Sequence, residues 1–379
     1  MARFRDIVKV TAGQAAPKEF SNIGFPFIRA GHLEELIEGK SASDLPKVTE
    51  QISKMHKLNL LPKNSIIFAK SGMSATKNRI FILNEPAYFV SHLAAILPND
   101  KIHMSYLARF LFWFNPTNLV LDEAYPSIRL EDINNLEIPL PPLPQQQKIA
   151  NILDAADELR QNDKKLIAKY DELTQALFLD MFGDPVSNPK GWEKVELNKL
   201  CSFKKKSIKP EDIKAGQNYV ALDSVEKVTG NIITVYNVEK YELKSNKFWF
   251  DDSYILYGKL RPYLNKVALP DFEGICSTDI IPIQPINKKS NKLFITSILR
   301  HNSFVAFADE RSSGANLPRI SPSEVEKYST INPPIILQNQ FAERVTLIEE
   351  QKAIAQKSLE KSEDLFNSLL QKAFNGELI

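Results

Sequence analysis

Tyr125-Pro126-Ser127-Ile128 leads through Pro141-Pro142-Leu143-Pro144 to Met181-Phe182-Gly183-Asp184, and further along the chain runs the same course again. Residues 125–184 align with 317–376 without a gap, at a constant offset of 192 positions set by Pro141-Pro142 against Pro333-Pro334. Pro126 and Ile128 fall on Pro318 and Ile320, Gln146 and Ala150 on Gln338 and Ala342, and Glu158 on Glu350. Lys165 and Lys169 fall on Lys357 and Lys361; Leu173, Leu177 and Phe182 fall on Leu365, Leu369 and Phe374. A repeat with a period near half the chain predicts two similar halves about a pseudo-symmetry axis. Such an object suits a target that is itself two-fold, of which duplex DNA is the commonest.

The core of each repeat reads as one long helix. Between Pro144 and Pro185 there is no proline, and no glycine before Gly183, the order in which helices start and stop. Ile149, Ile152, Ala156, Leu159, Leu166, Tyr170, Leu173 and Leu177 follow steps of three and four, with Asp163 interrupting. The second copy gives Phe341, Val345, Ile348, Ala355, Leu359, Phe366, Leu369 and Ala373, interrupted by Lys352 and Ser362. These are heptad seams, and each amphipathic helix needs a partner in water. Packed antiparallel, helices of about 37 residues would form a rod of roughly 55 Å with a globular segment at each end. That is about one to one and a half turns of DNA.

A globular segment precedes each helix. Phe4, Ile7 and Val10 match Leu197, Leu200 and Phe203 in spacing, followed by Pro26-Phe27-Ile28-Arg29 and Asn218-Tyr219-Val220-Ala221. Ser65–Phe68, Arg79–Leu83 and Tyr254–Tyr257 read as strands; Ser105–Phe114 and Asn291–Phe307 read as helices. The expected fold is therefore α+β and duplicated. Between strands lie basic, polar turns, Ala69–Arg79 and Gly258–Lys266, with donors suited to phosphate oxygens and base edges.

Composition narrows the class. At 379 residues the chain fits two domains or more, and it lacks both a membrane-span-length apolar run and a signal-peptide pattern. Cys201 and Cys276 make neither a disulfide framework nor a four-ligand zinc site, so a cytoplasmic protein is expected. Net charge is only +2, but the helices 145–182 and 338–374 together carry −3, leaving +5 on the segments between them, where a polyanion would dock.

Three further runs are distinctive: Gly258-Lys259-Leu260-Arg261-Pro262-Tyr263-Leu264-Asn265-Lys266-Val267-Ala268, Gly274-Ile275-Cys276-Ser277-Thr278-Asp279, and Ser312-Ser313-Gly314-Ala315-Asn316-Leu317-Pro318-Arg319-Ile320. Together with the proline-led helices and the endings Met181–Asp184 and Ala373–Leu378, they resemble the specificity (S) subunit of Type I restriction-modification systems over essentially the whole chain. Glu123-Ala124-Tyr125-Pro126-Ser127-Ile128 departs from that pattern, lacking a counterpart of Gly314. The resemblance implies target-recognition domains at 1–143 and 185–336 and spacer helices at 144–184 and 337–379. It implies a bipartite double-stranded DNA target, two docked methyltransferase (modification) subunits that use S-adenosylmethionine, and restriction/translocase subunits that use ATP. This chain would be non-catalytic and carry no cofactor.

Expected DNA contacts are Lys70, Ser71, Lys77 and Arg79 in the first domain. In the second they are Lys204, Lys205, Lys259, Arg261 and Lys266, then Arg311 and Asn316. Two enzymatic readings have thinner support. Asn332-Pro333-Pro334 is followed by Ile335 and not by the aromatic of an amino-methyltransferase, so the prolines read as a helix lead-in. Asp223 with Glu242-Leu243-Lys244 has metal-nuclease character, but His32, His56, His92, His103 and His301 show no metal-ligand spacing. No phosphate-binding glycine loop is present. The remaining alternative is a coiled-coil scaffold that binds proteins.

Overall fold

The computed structural model describes residues 1–239 and 242–378; Ile379, the end of the expected second spacer, lies outside the described residues. The fold is α+β and divides into two compact units: Met1–Lys164 with Gln356–Ile379, and Lys165–Ala355.

Each unit has the same plan. In the first, strands 9–12, 93–97, 66–69 and 80–82 form an antiparallel sheet in that order. In the second, strands 201–202, 280–285, 255–258 and 267–268 do the same. A second sheet pairs strand 25–28 parallel with 88–89 and antiparallel with 47–48. Its counterpart pairs 217–220 with 274–276 and 236–238, and strands 247–250 and 207–208 extend it. Strand alternation explains how one sheet serves two cores. Ile66, Phe68, Ala94 and Ile96 face one apolar cluster, while Ile67, Ala69, Leu93 and Ala95 face another.

The helix expected at 105–114 spans Met104–Phe114. The one expected across 291–307 is broken into Lys292–Arg300 and Asn302–Glu310, because His301 leaves helical geometry and caps the second piece. Its ring Nδ1 accepts the Ser303 amide (3.3 Å) and contacts the Ser303 hydroxyl (2.8 Å). Asn115 and Thr117 make the same cap in the first unit.

The long helices are Leu143–Phe182 and Ile335–Phe374, each 40 residues, with left-handed Gly183 and Gly376 beyond their ends. The prolines are lead-ins, and a buried glutamine pins each start. Gln146 donates to the Pro141 carbonyl (2.8 Å) and accepts the His103 amide (2.8 Å). Gln338 repeats this with Pro333 (2.9 Å) and Asn291 (2.9 Å).

Within each unit the two helices run antiparallel. In the first, the Arg160 guanidinium lies 4.6 Å from the Phe366 ring centre, Asp163 accepts the Ser362 hydroxyl at 2.8 Å, and Lys164 pairs with Glu363 at 3.0 Å. In the second, Lys352 pairs with Asp171 at 2.5 Å and Phe341 packs on Phe178 and Phe182.

The seam of the second helix is as expected, except that Leu370 is buried more deeply than Leu369. The first helix differs. Its inward row is Ile149, Leu153, Ala156, Arg160, Asp163, Ile167, Tyr170, Thr174, Phe178 and Met181. Leu159, Leu166 and Leu173 instead face solvent, 48%, 42% and 49% exposed. The phase is fixed by the ends, where Ile149 and Leu153 enter one core and Phe178, Met181 and Phe182 enter another. The leucine row runs one residue ahead of that phase, about 100° around the helix.

Candidate nucleic-acid interface

The two basic turns are held by one set of main-chain hydrogen bonds, made twice. In the first unit Lys70 donates to the His92 carbonyl (2.9 Å), Gly72 to Pro126 (2.9 Å), and Ile128 to Lys70 (2.7 Å). In the second, Lys259 donates to Asp279 (2.9 Å), Arg261 to Pro318 (2.7 Å), and Ile320 to Lys259 (3.1 Å). Lys70 and Lys259 thus occupy the same place at the end of a central strand. Neither turn is a bare hairpin tip, since each contains a short 3-10 helix, Met73–Thr76 and Pro262–Leu264.

Side chains on this shared frame diverge. Around the first turn, the Ser71 hydroxyl meets His92 Nδ1 at 2.8 Å and Lys77 is exposed. Arg79 is drawn aside into an ion pair with Glu34 (2.5 Å). Around the second, Arg261 is exposed while Lys266 turns its ammonium onto the Leu222 carbonyl (2.8 Å). Burial lowers the pKa of Lys266, as expected for an ammonium removed from water.

Lys204 and Lys205 lie between strands 201–202 and 207–208, exposed to solvent. Neighbouring protein partly desolvates the Lys205 ammonium although the residue is exposed, and this and then the charge of Lys259 lower its pKa, which puts those two cations from distant segments in one locality. An anion placed there would relieve that repulsion. Lys205 also lies 5.0 Å from the Phe248 ring centre, and Lys206, which the sequence did not single out, 4.3 Å from Trp249. Arg311 stacks on Phe307 (4.6 Å) and reaches Glu324 (3.4 Å); Asn316 is exposed in the turn closed by the Ser313–Arg319 bridge.

Two further residues belong with this set. Arg319 is buttressed by Asp279, Nε to Oδ1 at 3.0 Å and Nη2 to Oδ2 at 3.5 Å, beside the Lys259 turn. In the first unit His92 holds the place of Asp279, its carbonyl accepting the Lys70 amide as that of Asp279 accepts the Lys259 amide. The signal for Arg319 was present: its repeat mate is Ser127, an unlike residue in an otherwise matched Pro-x-Ile run.

Elsewhere, Asp223 is exposed and near the Tyr236 hydroxyl (3.5 Å), and Glu242 accepts the Glu239 amide (2.8 Å). Among the described residues no group of three His, Cys, Asp or Glu is arranged to hold a metal ion. No described helix is long and apolar enough to cross a membrane.

The family model of the Type I restriction modification DNA specificity domain matches residues 1–169 and again 189–363. The Type I restriction enzyme EcoDI specificity subunit of Escherichia coli is 29% identical over 199 residues, 51% of this chain and 43% of that one. The MjaIX specificity subunit of Methanocaldococcus jannaschii is 32% identical over 182 residues, 46% of this chain and 41% of that one. The chain thus spans less than half the length of these two relatives in the matched regions. The crystal structure of a Type-I restriction-modification system S subunit from M. genitalium shares the fold, with a TM-score of 0.60 at 16% identity over 98% of this chain and 95% of that one. With two copies of the family's domain covering most of its length, the chain belongs to the Type I restriction modification DNA specificity domain family.

Proposed function

We propose that this chain is the sequence-specific DNA-recognition subunit of a Type I restriction-modification complex, reading a bipartite target in double-stranded DNA. Residues 1–143 and 185–336 each read one half, and the helices 144–184 and 337–379 set the spacing between the halves. The observation that carries this reading is the twice-built main-chain frame that presents Lys70 and Lys259 at equivalent places. Affinity comes from cations on phosphates, and base readout from side chains on the diverging turns.

Leu166 and Leu173 support a second element of the reading. These half-exposed leucines of the second unit, one heptad apart, form an apolar row outside the intramolecular seam. Helices of the modification subunits are its occupants, and restriction/translocase subunits complete the assembly. The chain itself does no chemistry.

The test is DNA affinity of the complex with modification subunits against salt concentration. Each phosphate contact contributes a slope of about −0.9 in log K against log salt. Lys70→Ala and Lys259→Ala should each flatten the slope by about one contact, whereas Lys266→Ala, whose ammonium is already bonded, should not. Affinity with no salt dependence, or slopes unmoved by either variant, would remove the DNA reading and favour a protein-binding scaffold.

A further inference from the structure

Among the described residues eight that are not glycine have a left-handed backbone, and three of them sit in two adjoining loops of the second unit: Val228, Arg261 and Asn265. Asparagine tolerates this conformation; a β-branched valine at φ 69° is a true outlier. Such strain persists only where the surroundings over-determine it, and it gathers at functional sites.

The surroundings here are explicit. Val228 sits at the tip of a short hairpin closed by the Val225–Ile232 bridge and by the Glu226 amide on the Asn231 carbonyl (2.9 Å). The Glu226 carboxylate accepts from the Thr229 hydroxyl (2.5 Å) and the Asn231 side-chain amide (3.2 Å). The hairpin is tied to the 259–266 turn by the Val228 amide on the Leu264 carbonyl (3.1 Å) and by Lys266 on the Leu222 carbonyl. Gly230 lies so close to strand 267–268 that a Cβ there would fall 1.9 Å from the Val267 carbonyl oxygen. All this holds a side chain that is 64% exposed, with Lys227, Arg261 and Tyr263 also exposed nearby. Solvation gives no reason to hold an isopropyl group in a strained, outward position. A partner does.

The first unit has no such device. Between strands 25–28 and 47–48, where the second unit carries this hairpin, it has the helix His32–Ile37. In a duplicated protein the shared frame serves what the half-sites have in common, and the unshared parts serve what distinguishes them.

Resting on the DNA reading above, we propose that Val228 is a specificity determinant of the second unit that seats against the 5-methyl group of a thymine in the major groove. That methyl is the apolar group the major groove displays on a base edge, and the groove admits a two-stranded ribbon. Minor-groove wedges use longer side chains or proline, so a valine tip fits the methyl contact better. The flanking Lys227 and Arg261 suit the phosphates on either side.

The test uses the full chain in complex with modification subunits and its cognate duplex, each thymine replaced in turn by deoxyuridine, which lacks the methyl. One position in one half-site should weaken binding by about fourfold, the value of one buried methyl-sized group. Val228→Gly, which relaxes the backbone, should fold, bind more weakly and lose that sensitivity; Val228→Thr, which keeps a γ-methyl, should retain it. Insensitivity at every thymine, a half-site without thymine, or sensitivity that survives in Val228→Gly would overturn the inference while leaving DNA recognition intact. Absence of any sequence-specific binding by the unaltered complex would overturn the DNA reading, and this inference with it.

Discussion

Lys70-Ser71-Gly72 and Lys259-Leu260-Arg261 make the same three main-chain hydrogen bonds, but they present different chemistry. Gly72 sits at φ 73°, ψ −177°, a region open essentially to glycine alone, and Arg261 at φ 51°, ψ 68°, in the left-handed helical region. The first turn offers a serine hydroxyl on a histidine, the second an exposed Arg261 beside a buttressed Arg319. The duplicated element is the frame, and the side chains on it have diverged. On the DNA reading proposed above, two unlike half-sites would account for that division.

The helices repeat the lesson on a larger energetic scale. Phe366 is fully buried, with the guanidiniums of Arg160 and Arg109 within 4.6 and 5.5 Å of its ring centre, and its repeat mate is Thr174. Burial raises the pKa of Asp157, but its pairs with Arg109 and Arg160 outweigh that and hold it below the usual carboxylate range. Phe366→Ala should cost about 3–5 kcal/mol in denaturant unfolding. Thr174→Ala removes one hydroxyl bonded to the Tyr170 carbonyl (3.2 Å) and should cost no more than about 1 kcal/mol. Similar losses at the two positions would mean that the halves have not diverged in packing.

Where the frame is shared, costs should match. Gln146→Leu and Gln338→Leu each strand a buried amide and a carbonyl, about 2–4 kcal/mol at either site. A large difference between them would break the equivalence. At the turns, Gly72→Ala should destabilise by about 1–3 kcal/mol. Arg261→Gly should stabilise by about 1 kcal/mol while weakening DNA binding, which separates the strain from the contact.

The smallest expected difference lies at the matched caps. Burial lowers the His301 pKa from its ordinary 6.5, only partly opposed by Asp184, so the folded cap is neutral where the unfolded histidine takes up a proton. Stability is therefore full above that ordinary value and falls as pH drops from it toward the lowered folded value. Amide exchange of residues 302–310, corrected for intrinsic rates, should speed up relative to pH 7 as the solution is acidified. His301→Asn, which copies Asn115, should remove the trend. Unchanged protection in the unaltered chain would show that the histidine cap does not titrate there.

The repeat, the limits of the two long helices and the approximate places of the strands 66–69, 80–82 and 255–258 were legible because proline, glycine and alternation mark them locally. The first seam was not, although the means to read it were in hand. Leu159, Leu166 and Leu173 attract an inward reading, but shifting the second seam back by the repeat offset moves it to Arg160, Ile167 and Thr174. Those are the half-buried positions. Basic turns were visible as charge on loops. The diversion of Arg79 to Glu34 and of Lys266 to Leu222 was not, since those partners lie more than forty residues away. A left-handed valine has no sequence signature at all, and neither does the buttress of Asp279 on Arg319.

The central claim is that two homologous units read two different halves of one target. A base-resolved methylation map of DNA from cells expressing this chain with a cognate modification subunit tests it most directly. The account predicts a new split motif, its halves separated by unspecified bases, absent when this chain is omitted, with Val228→Gly relaxing one half only. A contiguous motif, or no new mark from a verified complex, would contradict it.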